Sequence, residues 1–476
     1  MSNLRDILSG SDVIKAALNI VKESGQKAYL VGGTIRDILI NSRLGNDYDF
    51  AVQGQGITFA KSFAEKVGGS FFILDDERDA SRVVYGKEFQ VDFSGVKKNI
   101  EEDLRLRDFT INSMAVPLDS LFNNNMILLD PLGGKNDIEK KVLRASSQRS
   151  VQEDPLRIMR AFRFSSSFNF TMDEELLYQI KKYCEELNNV SEERVRTELF
   201  MILEMPAAYK TLKDMDDAGV LRTLFPETEK WKRFYQGGWH IHDLFDHSMN
   251  AVGVAEEVLN HLNGYFPGYG KRIEDYMAEE VEEYVTRRGL VKFAALLHDA
   301  GKLYTRTMQD GRGRFLGHEE KGEAISADIA KRLKLSRKTE KILRGLTASH
   351  MRILGLSKLQ RVTSRAKYRF FRDADGCGIE LLILSLADAM ATPVEGERLE
   401  YLKGLIGNLA GYYFEVFIAA PQMPLVTGED IMKLFGIPQG KEIGRMVEAL
   451  REAEALGKVS SREEAIDYLK DEKIGS

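Results

Sequence analysis

The chain predicts an α+β first part followed by an all-α remainder. Three observations carry this expectation. Short apolar runs of strand length alternate with helical spacing through about residue 145, strand signals stop after Arg144, and beyond it apolar residues recur at three- and four-residue spacing. At 476 residues the chain is expected to form three or four domains.

Residues 11–24 place Val13, Ile14, Ala17, Leu18 and Val21 at helical spacing, and Gly25 ends that helix. Ala28–Val31 is a short apolar strand that meets Gly32-Gly33 and a helical stretch from Thr34 to Ile40. Asp47–Val52 reads as a second strand and Phe89–Phe93 as a third. Between 146 and 232 the spacing is helical, with Ser191-Glu192-Glu193 a good helix start, because a Ser cap and acids suit the positive helix end. Gly237-Gly238 marks a boundary, and the acidic stretch Glu274–Glu283 reads as a solvated helix face. Residues 396–476 form a helical tail rich in Glu and Lys. The expected domains are 1–145, 146–236, 237–395 and 396–476.

Hydrophobic residues make up 43% and charged residues 29%, which excludes a disordered or collagen-like chain. Two cysteines, Cys184 and Cys377, cannot make a disulfide framework, so a reducing cytoplasm is the expected setting. The opening MSNLRDILSG lacks the basic and apolar regions of a secretory signal. No uncharged apolar run approaches the ~18 residues of a membrane helix, so no membrane partner is expected. The net charge of −6 argues against nucleic acid only if the charge is evenly spread.

Asp47 and Asp49 lie two apart in a strand, so both carboxylates leave one face. Two hard oxygen ligands on a rigid face suit Mg²⁺, which takes substrate phosphates to complete its octahedron. Such a pair alone is common in surface loops. The preceding Gly32-Gly33 adds a helix start whose free N–H groups can hold phosphate. Asp92, on a later strand, is a third carboxylate that could join them.

Five ordered segments now become recognisable: LVGGTIRDILI (30–40), NDYDFAV (46–52), RLRDFTINSMAV (105–116), DPLGGKNDIEKKVLRA (130–145) and EDPLRIMRAFRF (153–164). Together they resemble the class II tRNA nucleotidyltransferases, the CCA-adding enzymes with their A-adding and poly(A) polymerase relatives. The resemblance implies a head like that of DNA polymerase beta with a small mixed sheet, an all-α neck and body, and Mg²⁺ ions at Asp47 and Asp49. It implies nucleotide contacts at Gly32, Gly33, Arg36, Asp37, Arg107, Asp108, Asn112, Asp154, Arg157, Arg160 and Arg163. One departure stands out: the usual paired arginines before Asp108 are here Leu106 and Arg107. The implied reaction adds C and/or A to the 3′ end of tRNA from CTP and ATP, with pyrophosphate leaving. An A-adding enzyme working beside a separate CC-adding one is the alternative.

Asp154 and Arg157, three apart, are expected on one helix face. In the family this motif reads the incoming base. A carboxylate accepts from the exocyclic amino group that C and A share, and an Arg donates to their unprotonated ring nitrogen. U and G would leave both groups unpaired, which can cost several kcal/mol. Standing alone, the pair would read as a surface salt bridge.

A second constellation consists of His247, His298-Asp299 in FAALLHDAGK, and Asp388 in LSLADAMAT. The order H…HD…D resembles the HD phosphohydrolases, whose mixed N/O ligands hold a divalent metal. His318 and His350 fall where some members place further ligands or phosphate contacts. His240, His242 and His261 are taken as ordinary surface or core residues. The metal's identity and the HD substrate stay open, as does the number of subunits. A metal-dependent phosphohydrolase with a vestigial head is the reading from another class, and the intact Gly32-Gly33, Asp47 and Asp49 argue against it.

Residues 331–372 contain 14 Lys or Arg against one acid, Glu340. Lys331, Arg332, Lys334, Arg337, Lys338, Arg365, Lys367 and Arg369 are therefore expected to track the backbone of a tRNA.

Overall fold

The computed structural model describes residues 2–86, 89–122, 126–235, 242–309, 312–392, 396–419 and 424–474. The expected boundary at Gly237-Gly238 and His240 lie outside the described residues. The chain forms two compact units, one of Met1–Ser191 with Asp214–Leu224, the other of Glu192–Lys213 with Phe225–Ser476.

The first unit is built on a six-stranded sheet of order β3-β4-β5-β2-β1-β6. Its strands are β1 (Ala28–Val31), β2 (Asp47–Gln53), β3 (Ser70–Asp75), β4 (Ala80–Tyr85), β5 (Phe89–Val96) and β6 (Ala115–Pro117). Only β2 and β5 run parallel; the other neighbours are antiparallel. A parallel pair needs a crossover, and the Gly56–Val67 helix with the β3–β4 hairpin supplies it. Phe59 and Phe63 of that helix pack on Phe93 at 5.7 and 5.2 Å between ring centres, closing one face of the sheet. Residues of β5 then alternate as the pleat requires: Val91 and Phe93 are buried while Gln90 and Asp92 are half-buried on the opposite face.

The helix expected over 11–24 spans Asp12–Ser24, with Ser11 accepting from the Ile14 amide and Gly25 closing it in the left-handed conformation at φ 71°. The motif DPLGG (130–134) is a joint. Asp130 accepts from the Gly134 and Lys135 amides at 2.7 and 3.0 Å. A Cβ on Gly134 would stand 2.1 Å from the Thr110 carbonyl oxygen, so only glycine fits there.

The Arg157–Phe168 helix belongs to this same unit. Phe164 meets Phe109 edge-on at 5.7 Å, and the neighbouring strands Val142–Leu143 and Thr171–Met172 pair in parallel. The segment expected as a separate neck over 146–236 is thus shared between the two compact units.

The second unit is helical. The Gly378–Ala391 helix is apolar on nearly every side and packs against the Leu244–Asn260 and Arg287–Leu297 helices, the behaviour of a core helix. The His318–Arg332 helix lies against Arg337–Ser349. A Cβ on Gly301 would stand 2.0 Å from the His318 carbonyl oxygen, so the HDAGK turn closes tightly on the start of that helix. Val426, Ile431, Leu450, Val459 and Leu469 give the tail a small core of its own.

One expectation is corrected here. Glu274–Glu283 is not one solvated helix face: a helix ends at Met277 and Glu280–Glu282 forms a two-stranded ribbon with Val285–Thr286. Glu282 turns inward, pairs with Arg196 at 2.7 Å and accepts from the Ser336 amide and the Thr339 hydroxyl. Those three partners offset the cost of taking it out of water. Among the described residues no helix is long and apolar enough to cross a membrane.

Candidate active site and metal centre

Asp47 and Asp49 leave the same face of β2, Asp47 exposed and Asp49 half-buried. Gly32 turns the chain between β1 and the Gly33–Asn41 helix at φ 67°, a conformation that favours glycine. A Cβ there would stand 2.8 Å from Arg107 Nη1 and 3.1 Å from Asp49 Oδ2. The turn, Arg107 and Asp49 therefore meet at one point. Burial pushes the Asp49 carboxyl up; the Arg107 charge pulls it down, Asp92 adds to the rise, and the Gly33 amide that donates to it lowers it again. These are oxygen donors on rigid backbone, a set that fits a hard divalent cation.

Asp92 stands beside Asp49 in register on β5. Its two carboxylate oxygens accept from Arg82 Nε and Nη2 at 2.7 and 2.9 Å, so it lends charge to the site while Arg82 holds it. Arg82 is not among the residues expected from the sequence; its place opposite Asp92 follows from the β4–β5 register, which no motif announces.

Arg36 donates to Asp37 at 2.8 and 2.9 Å and to Asn112 at 2.7 Å, and lies over the rings of Phe164 and Phe168 at 5.0 and 4.8 Å. Asn112 in turn donates to Asp108 Oδ1 at 2.9 Å. Asp108 is buried and accepts four hydrogen bonds, from Phe109, Asn112 and twice from Arg160. It orients Arg160 and Asn112, and its own oxygens are engaged within the protein. Arg163 rests over Phe164 at 4.3 Å.

The expectation that Asp154 and Arg157 share a helix face is corrected. The helix begins at Arg157, and Asp154 precedes it in an extended conformation at φ −143°, ψ 97°. Pro155 is the reason, since the residue before a proline is pushed out of the helical region. Asp154 Oδ1 instead accepts from the Leu156 amide at 3.2 Å. Arg157 donates to the Ser150 carbonyl and hydroxyl at 3.2 and 2.9 Å and to the Leu106 carbonyl at 2.7 Å. Arg157 is thereby fastened to the turn that carries Arg107, through the carbonyl of Leu106.

The second unit gathers six more ligand-type residues. The ligand atoms of His247, His298, Asp299 and Asp388 all lie within 4.8 Å of one another, and so do those of Asp299, His318 and His350. Asp299 is common to both sets: Oδ2 lies 3.2 Å from Nε2 of His247 and of His298, while Oδ1 lies 3.4 and 3.6 Å from Nε2 of His318 and His350. All but Asp388 are buried. The Nδ1 atoms of His298, His318 and His350 sit 2.8, 2.8 and 2.7 Å from the carbonyls of Ala295, Phe315 and Thr347. A carbonyl only accepts, so each Nδ1 carries a proton, and each Nε2, once deprotonated, would present a lone pair inward.

That donor set fits divalent cations. Asp299 Oδ2 is buried without a properly aligned hydrogen bond, although three nitrogens, including Lys302 Nζ at 2.6 Å, surround it. Nε2 of His247 and Nε2 of His298 lie 3.3 Å apart, close enough for both to reach one cation. Burial alone would lower the His298 pKa, but Asp299 and Asp388 outweigh it and push it up to about 10. Burial would raise the Asp299 carboxyl, yet His298 and Lys302 hold it well below the carboxylate range. His318 runs the other way, lowered by burial. Of the histidines taken as ordinary, His261 is exposed and donates Nδ1–H to the Glu257 carbonyl at 2.9 Å.

The basic run 331–372 is heavily paired. Arg332 bonds Glu227, Lys334 pairs with Glu192 and Glu193, and Arg365 and Arg369 both grip Glu452. Lys367 donates to Asn408. Lys331, Arg337 and Lys338 are exposed and, among the described residues, have no ion pair. Acids far away in sequence thus pair with much of the charge expected to track a tRNA backbone.

Residues 28–144 match the family described as poly A polymerase head domain, 169–232 the one described as probable RNA and SrmB-binding site of polymerase A, and 244–392 the HD domain. An A-adding tRNA nucleotidyltransferase of Deinococcus radiodurans is 33% identical over 453 residues, covering 92% of this chain and 94% of that protein. A CC-adding tRNA nucleotidyltransferase of Geobacter sulfurreducens is 33% identical over 455 residues, covering 95% and 93%. Among solved structures, a CCA-adding enzyme in its apo form I shares the fold at a TM-score of 0.63 and 22% identity, over 97% of this chain and 93% of that one. With two whole-length relatives at this identity and the head, RNA-binding and HD segments in the same order, the chain belongs to the tRNA nucleotidyltransferase family.

Proposed function

We propose that this chain adds C and/or A residues to the 3′ end of tRNA from CTP and ATP, releasing pyrophosphate. One observation carries the reading: Asp49 meets the Gly32 turn and Arg107 at one point, while Arg157 donates to the Leu106 carbonyl beside Arg107. Phosphate and base readers are thus anchored to one turn. When bound at Asp47 and Asp49, Mg²⁺ lowers the pKa of the attacking hydroxyl and stabilises charge on the leaving oxygens. The protein's own part is positioning. Gly32 and Gly33 let the backbone approach the triphosphate, and the helix start at Gly33 offers N–H groups to it. Arg107 stands beside the carboxylates, with Asp103 holding it at 3.2 Å. Asp154 and Arg157 select bases that offer an amino group next to an unprotonated ring nitrogen. A tRNA substrate accords with a cytoplasmic setting.

Of the two whole-length relatives, one is an A-adding and the other a CC-adding tRNA nucleotidyltransferase. That favours a partial activity as the second reading. Three tRNAs, ending at the discriminator base, at C and at CC, offered with CTP and ATP separately, decide the matter. Extension of all three means CCA synthesis, AMP on the CC-ended tRNA alone means A addition, and CMP on the first two alone means CC addition. No extension of any tRNA overturns the proposal.

For the HD unit we propose a metal-dependent phosphohydrolase site in which His247, His298, Asp299 and Asp388 would hold one divalent cation, and Asp299, His318 and His350 would hold a second. Hydrolysis of 2′,3′-cyclic AMP with added metal, surviving Asp49→Ala and lost in Asp299→Ala, would assign the activity here. No activity with any metal would leave this unit a scaffold.

A further inference from the structure

Beyond its carboxylates, the sheet face that bears them carries an exposed aromatic side chain that none of the motifs explains. The register aligns Asp49 with Asp92, Asp92 with Arg82 and Arg82 with Phe72, four residues in one row across four strands. Cross-strand partners project from the same face, and the Arg82–Asp92 hydrogen bonds show which face that is. The other face is closed by the Gly56–Val67 helix, toward which Phe71 turns, with Lys61 over its ring at 5.7 Å. Alternation therefore sends Phe72 to the catalytic side, where it is 52% exposed. Val84, 37% exposed, extends the apolar strip in the adjoining row that ends at Asp47.

We infer that Phe72 is a stacking platform for an unpaired base at the 3′ end of the RNA primer. The inference rests on the proposed tRNA 3′-end reaction. Three strand spacings put Phe72 about 14 Å from Asp49, within reach of a base next to the nucleotide whose 3′-hydroxyl reacts at the carboxylates. An exposed aromatic face beside a backbone-tracking site is how proteins hold single strands without reading their sequence, because every base has a π-face. Arg82 strengthens the case: it sets a positive charge beside Asp92 in the strip that a polyanion must cross.

The test uses the full chain and a tRNA carrying 2-aminopurine at its penultimate 3′ position. Binding should quench the fluorophore in the wild type and in Phe72→Tyr, and should fail to do so in Phe72→Ala and Phe72→Leu. In the latter two, the KM for tRNA should rise by roughly five- to a hundredfold while the KM for ATP or CTP stays unchanged. Phe72 is exposed, so these variants are expected to fold, which circular dichroism checks. Equal quenching and equal KM in all four proteins would overturn the inference, and so would an effect confined to the nucleotide KM. Loss of a dimer in Phe72→Ala, seen by sedimentation, would also overturn it and make this edge strand an interface between copies. Wild-type protein that extends no tRNA overturns the proposed function, whereas the fluorescence arm reads stacking in either case.

Discussion

Arg160 donates two hydrogen bonds, of 3.0 and 2.7 Å, to the same oxygen of Asp108. The other Asp108 oxygen accepts from Asn112 and the Phe109 amide. This ion pair joins the Arg157–Phe168 helix to the turn after Arg107, and it sets the distance between that helix and the turn.

Removing one partner of a buried pair leaves the other charge uncompensated. Asp108→Ala is expected to cost about 3 kcal/mol, the low end for such pairs because Arg160 is partly exposed. The sign with pH follows from the shift. Burial would raise the Asp108 carboxyl, but Arg160 outweighs it and holds it below its ordinary value. Its stabilisation is present above the unfolded carboxyl pKa, about 3.9, and is lost as pH falls through the folded value. Denaturant titrations should show the wild-type advantage over Asp108→Asn shrinking below about pH 4.

Gly32→Ala should fold and lose nucleotidyl transfer. The added methyl meets Arg107 Nη1 at 2.8 Å and Asp49 Oδ2 at 3.1 Å in a backbone region that alanine disfavours. Displacing either group by about 1 Å is expected to lower kcat on the order of a hundredfold. Single-turnover rates at saturating nucleotide measure it; an unchanged rate would mean that the close approach at Gly32 does not govern the chemistry.

Metal content offers a direct reading of the second unit. Elemental analysis after dialysis against Mn²⁺ should give two ions per chain in the wild type, about one in His318→Ala, and none in Asp299→Ala. Uptake should release protons, because His298 is pushed up to about 10 by Asp299 and Asp388 and must give up its proton to ligate. Loading is therefore expected to strengthen as pH rises. A single ion in the wild type would leave His318 and His350 without the role assigned to them.

On the basic run, paired and unpaired residues should behave differently. Charge reversal at Arg337 or Lys338 is expected to flatten the salt dependence of tRNA binding by about 0.7–0.9 for each phosphate that is no longer neutralised. Reversal at Arg369 should act mainly on stability, since it sets a carboxylate against Glu452. Fluorescence anisotropy at several salt concentrations separates the two, and identical slopes in all variants would exclude this surface as an RNA-binding one.

Much of this is legible in the chain because local rules govern it. Gly25 and the two-residue spacing of Asp47 and Asp49 act within a few positions of themselves, and the candidate ligands His247, His298, Asp299 and Asp388 are spaced by helices that the apolar pattern reveals. What stays hidden depends on partners distant in sequence. Arg82 meets Asp92 only through strand register, Glu452 reaches Arg365 and Arg369 from the tail, and Glu282 turns inward because Arg196 is there to receive it. Asp154 departs from its expected helix face for a local reason: Pro155 interrupts the helical spacing between it and Arg157.

That proline has a consequence of its own. Asp154 is fixed twice before any ligand arrives, by the ring that follows it and by the Leu156 amide that its carboxylate accepts. A side chain already immobilised loses little further freedom when it engages a base. Under the proposed function, discrimination at this position would be a property of the resting protein rather than of a closing motion, and it should persist at temperatures and viscosities that slow loop movement.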